Sequence, residues 1–229
     1  MSKKKIKVKV KKRKINFKRI LICLLSIVLI VLLSYYLTKL PIKNIYVVGN
    51  EILSDKEIIA LSQLEDYPPF LTTSSSNIIK KLKENDYIKD VEVKKKLYNK
   101  VYIYITEKKI LCAYQDNLIL EDSTIIENTY NITSYPILLS DISNIQDKFI
   151  TKFSQVDNTI LLKISEIEYA PNDVDSERFS LKMNDGNLVY ITLNKIEKIN
   201  KYNSIYSSLE GKKGIIYLDS GDYVEVKEG

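Results

Sequence analysis

Residues 88–107 read IKDVEVKKKLYNKVYIYITE. Val91 and Val93 alternate with charged neighbours. After the turn Leu97-Tyr98-Asn99-Lys100 the alternation resumes, with Val101, Ile103 and Ile105 on one face and Tyr102 and Tyr104 on the other. A side-chain period of two, broken by a short polar turn, predicts two antiparallel strands. Upstream, Ser74-Ser-Ser-Asn77 offers several N-caps for a helix with Ile78, Ile79 and Leu82 on one side. Before that, Ser54-Asp-Lys-Glu57 is a capping-box pattern opening a shorter helix that carries Ile58, Ile59 and Leu61. Ile42 to Val48 is a β-rich run closed by the turn pair Gly49-Asn50. The predicted order over residues 42–105 is β-α-α-β-β.

Immediately before this unit, Ile20 to Leu37 reads ILICLLSIVLIVLLSYYL without a charge. At about 1.5 Å per residue the run spans roughly 27 Å, close to the hydrocarbon thickness of a bilayer. It is too long for the core of a cleavable signal peptide, and the SYYLTKLP that follows is no small-x-small cleavage site. Residues 1–19 carry eleven Lys/Arg and no acid, which predicts a cytoplasmic tail and places residues 41–229 across the membrane. Tyr35 and Tyr36 fall where aromatic rings favour the lipid–water interface.

The net charge of +6 averages unlike segments. Residues 41–109 hold twelve Lys and ten acids, a net +2, whereas residues 110–229 hold eleven Lys/Arg and nineteen acids, a net −8. The basicity therefore belongs to a short juxtamembrane tail, and no nucleic-acid partner is expected. The lysines at 80, 81, 83, 89, 94, 95 and 96 are read as a solvated face interleaved with acids, ahead of a contact with anionic headgroups.

The chain has 229 residues and no histidine, which removes His-based triads, Cys/His pairs and ordinary zinc sites. Of two cysteines, Cys23 lies in the apolar run and Cys112 is left as a small core residue. The spacing Ser-x-x-Lys falls at Ser2 to Lys5, inside the tail, and Ser54 is better explained as a helix cap. Glu166 and Glu168 would share a strand face, but acids without glycine-shaped ligand loops read as solvated surface. No glycine-rich phosphate loop is present. No enzyme, metal or cofactor is expected.

Beyond residue 110 the pattern is of short strands and a few helices. Leu111–Ile125 contains short β-like runs, Ile145–Val156 is helical in pattern, and Phe179–Met183 and Leu188–Thr192 flank the hairpin turn Asn184-Asp185-Gly186-Asn187. From Asn194 a helix is predicted through Leu209, ended by Gly211. Gly214–Leu218 and Tyr223–Val226 flank Asp219-Ser220-Gly221-Asp222. The expected organisation is a basic tail (1–19), a transmembrane helix (20–40), a β-α-α-β-β unit (41–109) and a β-rich unit (110–229). The fold class is α+β.

The β-α-α-β-β unit beside a membrane span, with Gly49-Asn50 after its first strand and Glu107-Lys108 closing its last, resembles a POTRA domain. With the segments Tyr135-Pro-Ile-Leu-Leu139 and Leu162-Lys-Ile-Ser-Glu-Ile167, the whole chain resembles the DivIB/FtsQ family of bacterial division proteins. Tyr98 and Lys108 stand where that family often has proline and arginine. The resemblance implies a non-enzymatic bitopic scaffold of the divisome, enriched at the septum. It implies that the β-rich unit binds DivIC/FtsB-type and FtsL-type proteins and so helps control septal peptidoglycan synthases. Carried over on Asp219-Ser220-Gly221, it assigns partner contact to Tyr217, Leu218, Ser220, Gly221, Tyr223, Val224 and Val226. Sheet edges bind partners through free backbone groups, and the last two strands are the expected edge. With no long polar tail after Val226, no tail-dependent contact is expected. Other classes fitting the same residues are a membrane-tethered sensor or regulator and a POTRA-type assembly factor outside division.

Overall fold

The computed structural model describes residues 16–226. Helix α1 (Phe17–Lys39) is long and apolar enough to cross a membrane, and none of it is buried against the rest of the chain. It takes in Lys18 and Arg19 ahead of the apolar run, since both are good helix formers whose long stems extend a charge away from the lipid. Residues 1–15, most of the expected cytoplasmic tail, lie outside the described residues.

The first unit contains β1 (Asn44–Val48), α2 (Asp55–Leu61), α3 (Ser75–Leu82), β2 (Ile88–Lys96) and β3 (Lys100–Glu107). The three strands lie in the order β1-β3-β2, with β1 parallel and β2 antiparallel to β3. Val101, Ile103 and Ile105 bury completely or nearly so against Ile58, Ile78 and Leu82 of the two helices. On the opposite face Tyr46 stacks on Tyr102 at 4.7 Å, and the Lys96 ammonium sits 4.3 Å from the Tyr102 ring. Strand β1 starts two residues later than its β-rich run because Ile42 turns inward, its N–H held by the Pro68 carbonyl at 3.0 Å.

Local chemistry fixes the connections. The Ser54 hydroxyl accepts from the Glu57 N–H at 3.3 Å while the Glu57 carboxylate accepts from the Ser54 N–H at 2.8 Å, closing the capping box. The strand-ending Glu107 then does what its position alone did not reveal. Its carboxylate accepts N–H groups from Glu51 (3.0 Å), Ile52 (2.8 Å) and Leu53 (2.9 Å), tying the β1–α2 loop to the end of β3. Glu107→Ala would leave two part-buried donors without partners, and a loss of about 2–3 kcal/mol is expected in chemical unfolding of the full chain.

The second unit is a nine-stranded sheet in the order β12-β11-β10-β9-β8-β7-β4-β5-β6. Its strands are β4 (Ile110–Tyr114), β5 (Asn117–Leu120), β6 (Ile125–Glu127), β7 (Ile137–Leu138), β8 (Ile164–Tyr169), β9 (Arg178–Met183), β10 (Leu188–Thr192), β11 (Gly214–Tyr217) and β12 (Tyr223–Val226). Helices α4 (Gln146–Phe153) and α5 (Asn158–Leu161) share a core with this sheet, in which the rings of Phe149, Phe153 and Phe179 lie 4.1–5.9 Å apart.

The helix expected from Asn194 is instead a 3₁₀ segment (Leu193–Lys201) followed by α6 (Tyr202–Ser208), with Lys195 at a non-helical φ of −117°. Its asparagines and β-branched isoleucines are weak helix formers, so tertiary burial of Leu193, Ile196, Ile199 and Tyr202 sets the path. This segment carries the chain from β10 to β11, which pair in parallel. The two units also share apolar contacts, as Ile110, Leu118 and Leu120 pack into the core of the first. Ion pairs Lys89–Glu121 (2.9 Å) and Lys108–Asp122 (2.7 Å) flank that junction.

Candidate functional site

All seven candidate contact residues gather on or beside the hairpin β11–β12, but they are not equivalent. Strand β11 lies between β10 and β12, so its backbone is used on both sides. Strand β12 is outermost. The Leu218 N–H donates to the Tyr190 carbonyl at 2.8 Å, so alternate residues of β11, including Ile216, turn their backbone groups toward β10. Ile215 and Tyr217 therefore turn theirs toward β12, where they face Glu225 and Tyr223. That leaves Val224 and Val226 with N–H and C=O groups directed away from the sheet.

The two faces of the hairpin differ in chemistry. On one face Val224 lies opposite buried Ile216, and with Ile205 and Leu218 it lines a groove of about 390 Å³ whose rim carries Lys198, Lys201 and Asp222. On the other face the rings of Tyr190, Tyr217 and Tyr223 form a ladder, with centroids 5.5 and 4.6 Å apart. The Arg178 guanidinium caps its inner end 3.7 Å from the Tyr190 centroid. Tyr223 (46% exposed) and Val226 (46%) are open, whereas Leu218 (4%) belongs to the core and shows only where it lines the groove. Ser220 and exposed Gly221 form the turn, where the Ser220 N–H and hydroxyl both donate to the Asp219 carboxylate.

Asp219 anchors the turn. Its carboxylate meets the Arg178 Nε at 2.7 Å with both side chains largely buried, and Lys195 donates to its carbonyl at 2.6 Å. Burial pushes the Asp219 pKa up, but the Arg178 guanidinium and the Ser220 donors outweigh it and hold the carboxyl below the usual carboxylate range. A carboxyl depressed in the folded state stabilises above its unfolded pKa near 4, and that stabilisation is lost as pH falls through the folded value. Acidification is thus expected to speed hydrogen exchange, corrected for intrinsic rates, in residues 214–226. Arg178→Gln is expected to move that loss to higher pH.

The Arg178–Asp219 pair and Tyr190 were not among the sequence candidates. Their only signal was the alternation of Arg178-Phe-Ser and of Leu188–Thr192, which marks strand faces and not their neighbours.

Of the other sheet edges, β1 is uncharged and partly exposed, with no apolar groove of this kind beside it among the described residues, and β6 and β2 are less receptive. Strand β6 spans three residues, and β2 carries Lys89, Lys94, Lys95 and Lys96, charges that disfavour strand addition. Most lysines of the first unit have internal partners: Lys83 pairs with Asp90 (2.8 Å), Lys94 with Glu92 (2.8 Å), and Lys95 donates to the Thr73 carbonyl (2.9 Å). Glu166 pairs with Lys182 at 3.1 Å. Among the described residues no group of three or more Cys, Asp or Glu is placed to hold a metal ion. Cys112 is fully buried, and burial pushes its thiol up to about 12.

An apolar anchor joined to a β-α-α-β-β unit defines the chain first as a membrane-associated POTRA protein. The model of the "POTRA domain, FtsQ-type" matches residues 40–108. The chain is 31% identical over 225 residues to "Cell division protein DivIB" of Bacillus subtilis (strain 168), covering 94% of this chain and 86% of the relative. It is 29% identical over 212 residues to the protein of that name from Listeria monocytogenes, covering 87% of this chain and 78% of the relative. A solved extracytoplasmic domain of DivIB from Geobacillus stearothermophilus aligns over 46% of this chain and 96% of its own length, at 19% identity and a TM-score of 0.37. The chain belongs to the DivIB family of cell division proteins.

Proposed function

We propose that the protein is a non-enzymatic bitopic scaffold of the divisome, with its basic tail in the cytoplasm and both folded units outside, concentrated at the septum. The POTRA unit assists recruitment there. In this reading the edge of β12 receives an extended segment of a DivIC/FtsB-type subunit, which brings an FtsL-type subunit with it. That assembly then regulates the septal peptidoglycan synthases. The supporting observation is the outermost position of β12, with the backbone groups of Val224 and Val226 directed outward and an apolar groove beside them. Strand addition needs such a row of free donors and acceptors, and flanking side chains give selectivity.

The test is recovery of companion proteins from solubilised membranes with the full chain as bait. Val224→Asp places a charge beside Ile205 and Ile216, and loss of the DivIC/FtsB-type protein from the recovered material is expected while the chain stays folded, its thermal midpoint only modestly lowered. Undiminished recovery by a folded mutant would contradict the edge assignment.

A further inference from the structure

The tyrosine ladder stops at the edge. Tyr190, Tyr217 and Tyr223 come from three adjacent strands, β10, β11 and β12, at paired positions of the register. Their rings are spaced by roughly the distance between neighbouring strands, as in-register stacking requires. The inner end is closed by Arg178. The outer end is Tyr223, about half exposed, on the strand that has no neighbour beyond it among the described residues. Any strand added to β12 must place one side chain directly across from Tyr223 on this face, continuing the stack.

The positions around it are equally constrained. Glu225 lies two residues farther along the same face, exposed, with the Tyr217 hydroxyl donating to its carboxylate at 3.2 Å. Val224 lies between them on the opposite face, over the groove lined by Ile205, Ile216 and Leu218. Since Tyr223 and Glu225 spend their backbone groups on β11, an antiparallel newcomer meets them at non-hydrogen-bonded positions, where opposing side chains approach most closely.

We infer that β12 selects a partner segment bearing an aromatic residue opposite Tyr223, an aliphatic residue next to it in the groove and a lysine or arginine opposite Glu225. This rests on strand addition at β12 and adds to it the identity of three consecutive partner side chains. An aromatic residue extends the ring stack, the aliphatic one fills an apolar groove, and the cation answers an exposed carboxylate. The occupant is an extended segment of another polypeptide, and the ladder makes aromatic content its main determinant.

The test uses the full chain in lipid nanodiscs and a displayed library of extended 12-residue segments randomised at five central positions. Enrichment of aromatic–aliphatic–Lys/Arg triplets, in either direction, is expected. Against Tyr223→Ala the aromatic preference should fall about three- to tenfold while the aliphatic preference persists. Against Glu225→Lys the basic preference should turn acidic. Segments that are enriched without an aromatic bias, or with a bias that Tyr223→Ala leaves intact, would overturn the inference and leave edge binding standing. Failure of any segment to be enriched over Val224→Pro would overturn edge binding itself, and this inference with it.

Discussion

Val224→Pro in the full chain is expected to reduce recovery of the DivIC/FtsB-type subunit at least tenfold while leaving the hairpin folded. Proline removes one backbone donor and fixes φ in a range that an edge strand tolerates when its N–H faces outward. Residue 224 meets that condition, because the ladder to β11 is made by Tyr223 and Glu225. One missing donor in a desolvated strand pairing leaves a partner carbonyl unsatisfied, at about 1.5–3 kcal/mol, or roughly one to two orders of magnitude in affinity. The neighbouring change Tyr223→Pro behaves differently, since it removes a donor used inside the sheet and opens β12 itself. Quantifying co-purified protein beside hydrogen exchange of residues 214–226 separates the two: the first mutant loses the partner with unchanged exchange, the second loses both.

Gly49→Ala carries the largest expected effect on stability. Gly49 adopts φ +92°, and a Cβ built there would lie 2.3 Å from the Ile105 carbonyl oxygen of β3. The contact is with backbone, so no rotamer change relieves it. Left-handed strain and displacement of β3 together are expected to cost roughly 3 kcal/mol or more, lowering the thermal midpoint by about 10 °C. Gly211 supplies the control: its φ is +84°, yet nothing lies within 4 Å of an added Cβ. Gly211→Ala should cost only about 1 kcal/mol. Equal shifts in circular-dichroism melts of the two variants would show that the close approach to β3 contributes nothing.

The β-α-α-β-β unit was legible because each of its elements announces itself locally. Ser54 and Ser74 cap as their spacing requires, Val101, Ile103 and Ile105 bury on one face, and Tyr98 and Asn99 take the left-handed turn between β2 and β3. The span was legible for the same reason, since eighteen uncharged residues leave few alternatives. The second unit was less so. Its terminal strands and their turn were visible as alternation around Asp219-Ser220-Gly221-Asp222, but the parallel pairing of β10 with β11 was not. That arrangement depends on Ile196, Ile199 and Tyr202 folding back over the sheet, a long-range packing event with no local mark. The same holds at the candidate site. Periodicity can put Tyr217 and Tyr223 on one face, but only the strand order shows that β11 is enclosed and β12 is free. The buried pair Arg178–Asp219 spans forty-one residues and leaves no trace in spacing.

Residue-resolved hydrogen exchange across β12, in the full chain with and without the DivIC/FtsB-type companion proposed for it, addresses the central claim most directly. The amides of Val224 and Val226 should exchange freely alone and become strongly protected in the complex, while those of Tyr223 and Glu225 are protected in both states. Unchanged exchange at Val224 and Val226 in a complex that has demonstrably formed would contradict it.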